Sequence, residues 1–512
     1  MNGRLKKVLL LLLAIALLAG AGRVQQALNR DRDRLGLTHT EPLENAPPVL
    51  AFTTVALGGF RGLISNALWI RANELQDEDK FFEMMQLAEW ITKLEPHFAQ
   101  VWVHQAWNMS YNISVKFKEN APGNYADRWR WVKAGIELLR DQGLKYNPHD
   151  VLIHRELAWH FQHKLGANLD DGNMYYKQQW FREMGRVFGT NRLADMDGLV
   201  NPQSEENFRR LNLLTNQYKM DPKVLKEVET KYGPLEWRLP EAHAIYWAVQ
   251  GLERARLNER KIDKEMLIQL RRVIYQDLQL SFQRGRLEFD PIVGGFEFGP
   301  NLDIIANASA AYEQAMEEDE KMRDHIKTAH RNMLRDAVYF LYTADRTREA
   351  QQWFRYLGEK HPDKLLLEGE TNSFPRNLTL EDYCVAKVQE DVKETSRDRI
   401  KSAIQGLLIR AYRRLVFDEE AAAANLQLLA RRTYASYMSQ IKGNEARIGL
   451  PTYDEIKQSV LDRLLDQGRG LPPLYRAILR TKLGMPAEVP ISAPSTNAAS
   501  AAVSATAPAA KP

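Results

Sequence analysis

The chain has 512 residues, too many for one compact core, and its 44% hydrophobic and 27% charged composition is that of a folded globular protein. Its 70 basic and 66 acidic residues nearly cancel, leaving +4, which excludes the concentrated positive field that nucleic-acid binding needs. The single cysteine, Cys384, excludes an intramolecular disulfide framework and a cysteine-based zinc site.

At the N-terminus, Arg4, Lys6 and Lys7 precede the unbroken apolar run Val8 to Gly22, the pattern of an export signal. The run is 15 residues long, short of the ~20 usual for a spanning helix, and Ala19-Gly20-Ala21 fits a small-x-small cleavage site. Residues 1–24 therefore read as a signal anchor, with secretion after cleavage near Ala21 as the alternative. Both place the rest of the chain outside the cytoplasm, facing the periplasm or an equivalent extracytoplasmic side, because the basic end stays inside. The continuation VQQALNRDRDRL can prolong an anchor helix past Arg23, whose side chain can snorkel. Residues 25–48 read as a linker whose later part, LGLTHTEPLENAPP, carries prolines and no helical period. Val49 to Phe60 is apolar but too short to span, so it is either an interfacial segment or a buried first helix.

Residues 49–192 form an N-terminal helical-repeat region. Helices are expected over Leu63 to Leu75, Phe81 to Leu94, Ala99 to Val115, Arg128 to Tyr146, Asp150 to Leu165 and Asn173 to Phe188, with breaks at Pro96, NAPG (120–123), Pro148 and NLDDG (168–172). Phe81, Met84, Met85, Ala88, Ile91 and Leu94 recur at three and four, one buried stripe on a helix. The text also repeats itself. Pro96-His97 with Ala106-Trp107 returns 52 residues later as Pro148-His149 with Ala158-Trp159, each with an aliphatic residue between, Val101 and Ile153. A proline that ends one helix and a small residue beside an aromatic on the next is how stacked hairpins are written, so Trp107 and Trp159 are expected at equivalent buried positions.

A middle region, 193–303, has helices and long loops. Asp221-Pro222 reads as an N-cap with proline in the first turn, Glu241 to Leu257 as a helix, and residues 285–303 as a non-helical connection. Residues 304–484 form a C-terminal helical-repeat region, with helix starts at Thr379-x-x-Asp382 and Thr452-x-x-Glu455. From Met485 to Pro512 the tail is Ala, Pro, Ser and Thr with almost no large apolar side chains, too few to offset its ordering entropy, and it reads as disordered.

Between Arg331 and Pro362, Leu334, Ala337, Val338 and Leu341 on one helix, Ala350 and Phe354 on a second, and then Pro362, match the spacing of the tetratricopeptide repeat. The chain resembles that family. Val338 stands where glycine or alanine is usual, and Leu334 and Leu341 where aromatics are usual. The resemblance implies an all-α fold, a degenerate right-handed α-solenoid of stacked helical hairpins, here with an N-terminal membrane helix and a disordered C-terminal tail. ALGGFRGLISNALWIRA and YGPLEWRLPEAHAIYWA also resemble segments of membrane-anchored helical-repeat proteins of bacteria, a resemblance that implies no activity.

Eight of the 11 tryptophans (Trp69, Trp90, Trp102, Trp107, Trp129, Trp131, Trp159, Trp180) lie between residues 69 and 180. Within Arg128-Trp129-Arg130-Trp131 the two indoles are two apart on a helix and point away from each other, so these four residues are the candidate interaction surface. His154, His160 and His163 with Asp170 and Asp171 are the types that ligate metals, but no His-Glu-x-x-His spacing accompanies them. Loop acids Asp170, Asp171, Glu236 and Asp303 could serve glycoside hydrolysis. No phosphate-binding glycine loop, Gly-x-Ser-x-Gly elbow or Cys-His arrangement occurs in the sequence. The expected function is a membrane-tethered, extracytoplasmic scaffold for protein–protein interaction, with no catalytic residue, metal or cofactor assigned and no nucleic acid as partner; the alternative is an exported all-α hydrolase acting on a glycan.

Overall fold

The computed structural model describes residues 3–34, 61–191, 193–257, 264–290, 295–344, 346–367, 370–392, 397–440, 450–468 and 470–487. The described residues are mostly helical, and the chain divides into two compact units, Met1–Val101 and Trp102–Pro512. The apolar segment 49–60 and the tail beyond residue 487 lie outside the described residues.

In the first unit, α1 (Gly3–Arg34) runs through the apolar stretch and on through the polar continuation, so residues 25–34 of the expected linker are helical. No helix among the described residues is long and apolar enough to cross a membrane, and the expected spanning helix is not found. Helices α2 (Arg61–Asp77) and α3 (Phe81–Leu94) pack together. Phe81, Met84, Ala88, Ile91 and Leu94 of α3 are buried, the stripe that the three-four spacing predicts.

Four helices widen from α to π pitch near their C-terminal ends. They are α4 (Ala99–Trp107, then π from Asn108–Ile113), α5 (Ala126–Glu137, then Leu138–Gly143), α6 (Val151–Trp159, then His160–Gly166) and, after α7 (Asn173–Phe188) and α8 (Met196–Val200), α9 (Glu205–Asn212, then Leu213–Gln217). A π turn inserts a residue and rotates every later side chain around the axis, so a face drawn at 3.6 residues per turn no longer holds beyond it. Two copies of the 52-residue repeat, α4 and α6, are both nine residues long and both turn π directly after their tryptophan. Val101, Ala106, Ile153 and Ala158 are fully buried as expected. Trp107, however, is 37% exposed and Trp159 half-buried, which corrects the expectation of two buried indoles.

Helix α10 (Pro222–Tyr232) begins at Asp221, whose side chain accepts the Lys223 N–H, with proline in the first turn. Then α11 (Pro240–Leu257), buried over most of its length, packs against both α6 and α12 (Lys264–Arg284). Where the sequence predicts a plain connection, β1 (Arg286–Asp290) and β2 (Gly295–Gly299) form an antiparallel hairpin that pairs Leu287 with Phe298 and Phe289 with Phe296. The alternation in RLEFD and GFEFG is the period-two signal that announces it.

Helices α13 (Ile305–Glu318), α14 (Arg323–Thr343) and α15 (Thr347–Lys360) come next. The last two pack as a pair, with Leu334, Ala337, Val338, Leu341, Ala350 and Phe354 buried. The described chain closes with α16 (Leu380–Val392), α17 (Arg397–Val416), α18 (Glu420–Gln440), α19 (Tyr453–Leu465) and α20 (Pro473–Lys482). Thr379 accepts the Asp382 N–H, and Thr452 with Glu455 completes a capping box.

Candidate functional site

Arg128, Trp129, Arg130 and Trp131 lie in the first turn and a half of α5, and the helix sends them to different sides. Trp129 is buried and stacks on Tyr176 of α7 at 6.0 Å, while Trp131 is half-buried and stacks on Phe117 at 6.2 Å. The Arg130 side chain is 78% exposed, 3.6 Å from Asp127. Arg128 turns inward. Its Nε donates to the Phe117 carbonyl at 2.6 Å and its Nη1 to Asp170 at 3.2 Å, with Asp171 3.6 Å away.

Asp170 is the node that collects this region. It lies in the loop before α7 and accepts from Lys164 Nζ at 2.6 Å, the Gly172 N–H at 2.8 Å and the Tyr176 hydroxyl at 3.0 Å, besides Arg128. Burial alone would raise its pKa, but the hydrogen bond and charge of Lys164, then Gly172 and Tyr176, outweigh burial and hold the carboxyl below its ordinary value. Lys164 is pulled the other way, burial lowering its pKa against the attraction of Asp170. Two cations, Arg128 and Lys164, thus meet two carboxylates, Asp170 and Asp171, and the local charge balances.

Above this ion-paired floor the two repeat copies meet. Trp107 stacks on Tyr111, four residues on, at 5.6 Å, and Trp159 stacks on His163, four residues on, at 4.5 Å and within 11° of parallel. The Tyr111 hydroxyl and His163 Nδ1 are 3.2 Å apart, joining the copies, and Lys164 Nζ sits 4.9 Å from the Tyr111 ring centre. Burial, then Glu156, raises the Tyr111 phenol, and burial, then Lys164 and His160, lowers the His163 imidazole. Tyr111 therefore keeps its proton, and its hydroxyl and His163 Nδ1 form one hydrogen bond that fixes the imidazole and leaves Nε2 as its other polar atom. Both tryptophans, the tyrosine and the histidine retain solvent access.

The other histidines of the predicted cluster are core. His154 Nδ1 pairs with the Asp150 carbonyl at 2.7 Å and His160 Nδ1 with the Glu156 carbonyl at 2.8 Å, one turn back in each case. Burial holds His154 at about 4. Among the described residues no group of three or more His, Cys, Asp or Glu side chains is placed to hold a metal ion. The remaining loop acids are each engaged by a separate arginine: Glu236 by Arg238 at 2.6 Å and Asp303 by Arg346 at 2.9 Å.

Sequence reasoning missed two buried groups. His243 on α11 is fully enclosed by Phe161, Trp180, Phe188 and Trp237, donates from Nε2 to the Trp237 carbonyl at 2.8 Å, and is held at about 4 by burial. Asp277 on α12 is fully buried, with Oδ2 accepting from Gln162 at 2.7 Å and Oδ1 without a partner among the described residues. Only a polar residue inside an apolar helical stretch, as in AHAIYWA, hinted at either. Compared with protein-family models, curated proteins and solved structures, the chain matches none.

Proposed function

We propose that the chain is a helical scaffold, tethered to a membrane through α1 and working on the extracytoplasmic side, that binds a partner protein. The observation that carries this reading is the way the helices pair: α2 with α3, α11 with α12, α14 with α15 and α17 with α18 each pack against a chain neighbour. In a helical-repeat scaffold such hairpins spend their inner faces on one another and leave outer faces for recognition. The tether is supported by Leu12, Leu13, Ile15 and Leu17 of α1, which are exposed on several sides of the helix, an arrangement suited to an apolar surrounding and costly in water. The glycan-hydrolase alternative has less support, because the acids it would use are engaged by Arg128 and Lys164, Arg238 and Arg346.

The outward residues Arg130 and Trp131 are the proposed contact for the partner. A photo-crosslinking residue at position 130 in the full-length chain should give one discrete protein adduct from intact membranes, lost when Trp131→Ala is added. Removing residues 1–24 should transfer the chain to the soluble fraction. Crosslinks to lipid alone, or an unchanged membrane fraction, would refute the corresponding half of the reading.

A further inference from the structure

We propose that the shelf formed by Trp107, Tyr111, Trp159 and His163 is a binding site for a neutral saccharide, a pyranose ring lying on an indole while His163 Nε2 hydrogen-bonds one of its hydroxyls. This goes beyond the partner-protein reading and uses a different surface from Arg130 and Trp131.

Three features select the ligand. The first is shape. Trp107 is 37% exposed and Trp159 half-buried although both belong to otherwise buried repeat positions, so the fold spends two large apolar rings on a surface. A flat ring half in water offers its face to another flat, partly apolar body, and the C–H face of a pyranose is one. Each indole is also fixed by stacking on its own helix, Trp107 on Tyr111 and Trp159 on His163, so little side-chain freedom remains to be lost on binding.

Charge is the second feature. Arg128 and Lys164 beneath the shelf are matched by Asp170 and Asp171, and Glu156 beside it by Arg155 at 2.9 Å. These pairs balance one another, which favours an uncharged ligand.

The third is one hydrogen bond. Tyr111 and His163 Nδ1, 3.2 Å apart, fix the imidazole and leave Nε2 as its remaining polar atom. A sugar hydroxyl both donates and accepts and so matches Nε2 in either tautomer; a proline-rich peptide, the other usual guest of tryptophan surfaces, offers carbonyl acceptors but no N–H at its prolines.

The full-length chain in a detergent without a sugar headgroup is titrated with cellotetraose, with the N-acetylglucosamine tetramer and with tetraproline, read by tryptophan emission and calorimetry. At least one of the two saccharides should bind with a blue shift. Trp107→Ala and Trp159→Ala should each weaken it about tenfold or more, Trp107→Phe less, and Arg130→Ala not at all. His163→Phe, which keeps a ring against Trp159 but removes Nε2, should also lose about tenfold. Thermal midpoints of the variants separate lost binding from lost folding. The proposal is overturned if neither saccharide binds at about 10 mM, if binding survives the Trp107→Phe, His163→Phe and Trp159→Ala changes unaltered, or if tetraproline alone binds.

Discussion

Replacing Asp170 by alanine should destabilise the protein more than any other single change in the candidate site. Its side chain is 9% exposed and takes two cations, Arg128 at 3.2 Å and Lys164 at 2.6 Å, together with the Gly172 N–H and the Tyr176 hydroxyl. Lys164 itself is only 4% exposed, so once the carboxylate is gone its ammonium keeps the cost of leaving water and loses its counter-charge. Breaking a buried pair in this way costs ~3–5 kcal/mol, and we expect about 4 kcal/mol here. Asp170→Asn retains an acceptor without the charge and should cost roughly half as much. Adding Lys164→Met to Asp170→Ala should recover part of the loss, because it deletes the stranded cation. The pH dependence has a definite sign. The folded pKa lies below the unfolded value of ~3.9, so the contribution is present above that value and is lost as pH falls through the folded one. Urea unfolding followed by far-UV circular dichroism at neutral pH, repeated below pH ~4, measures all of this. A loss of under ~1 kcal/mol for Asp170→Ala would mean that water replaces the carboxylate and that the network is not dry.

His154, His243 and His330 are each held at about 4 by burial, below their unfolded value, so their stabilising effect is present above pH ~6.5 and is lost as pH falls toward 4, by roughly 3 kcal/mol for each group. A urea midpoint that does not move between pH 7 and pH 5 would contradict it. Burial, then the charge of Glu241, raises the Asp277 pKa well above its ordinary value, so the charged form is disfavoured there and Asp277→Asn should preserve or increase stability near pH 7. A marked drop in melting temperature would contradict this. At Gly135 a methyl group would meet Ser110 Oγ at 2.2 Å and the Ala106 carbonyl at 2.8 Å, whereas Gly185 has open space, so Gly135→Ala should cost ~1–3 kcal/mol and Gly185→Ala should gain up to ~1 kcal/mol. Equal effects from the two would remove the close approach of α5 to the end of α4 as a constraint.

Local signals decided much of this protein without any tertiary information. Three-four spacing and flanking turns place Phe81–Leu94 and Asn173–Phe188 at their observed bounds, Asp221-Pro222 and Thr452-x-x-Glu455 cap the helices they precede, and the Leu334 to Phe354 pattern predicts two packed helices with those side chains inside. These features depend on residues within a few positions of one another, where backbone geometry and side-chain period are enough. The alternation behind the β1–β2 hairpin is local too, although the sequence reading of 285–303 is only a non-helical connection. Only the packed structure decided where the aromatic residues end up. The 52-residue repeat predicts two equivalent buried indoles, yet Trp107 and Trp159 both keep solvent access, and the π turns that begin at Asn108 and His160 rotate the later side chains of both helices, which sets Tyr111 against His163. The partners of Asp170 come from α5, the π segment after α6 and α7, and those of His243 from three separate segments. A charge's value depends on which other charges stand beside it in a dry interior, and an indole's role on whether a neighbouring helix covers it; both are set by contacts between residues far apart in the chain, which no window of sequence contains.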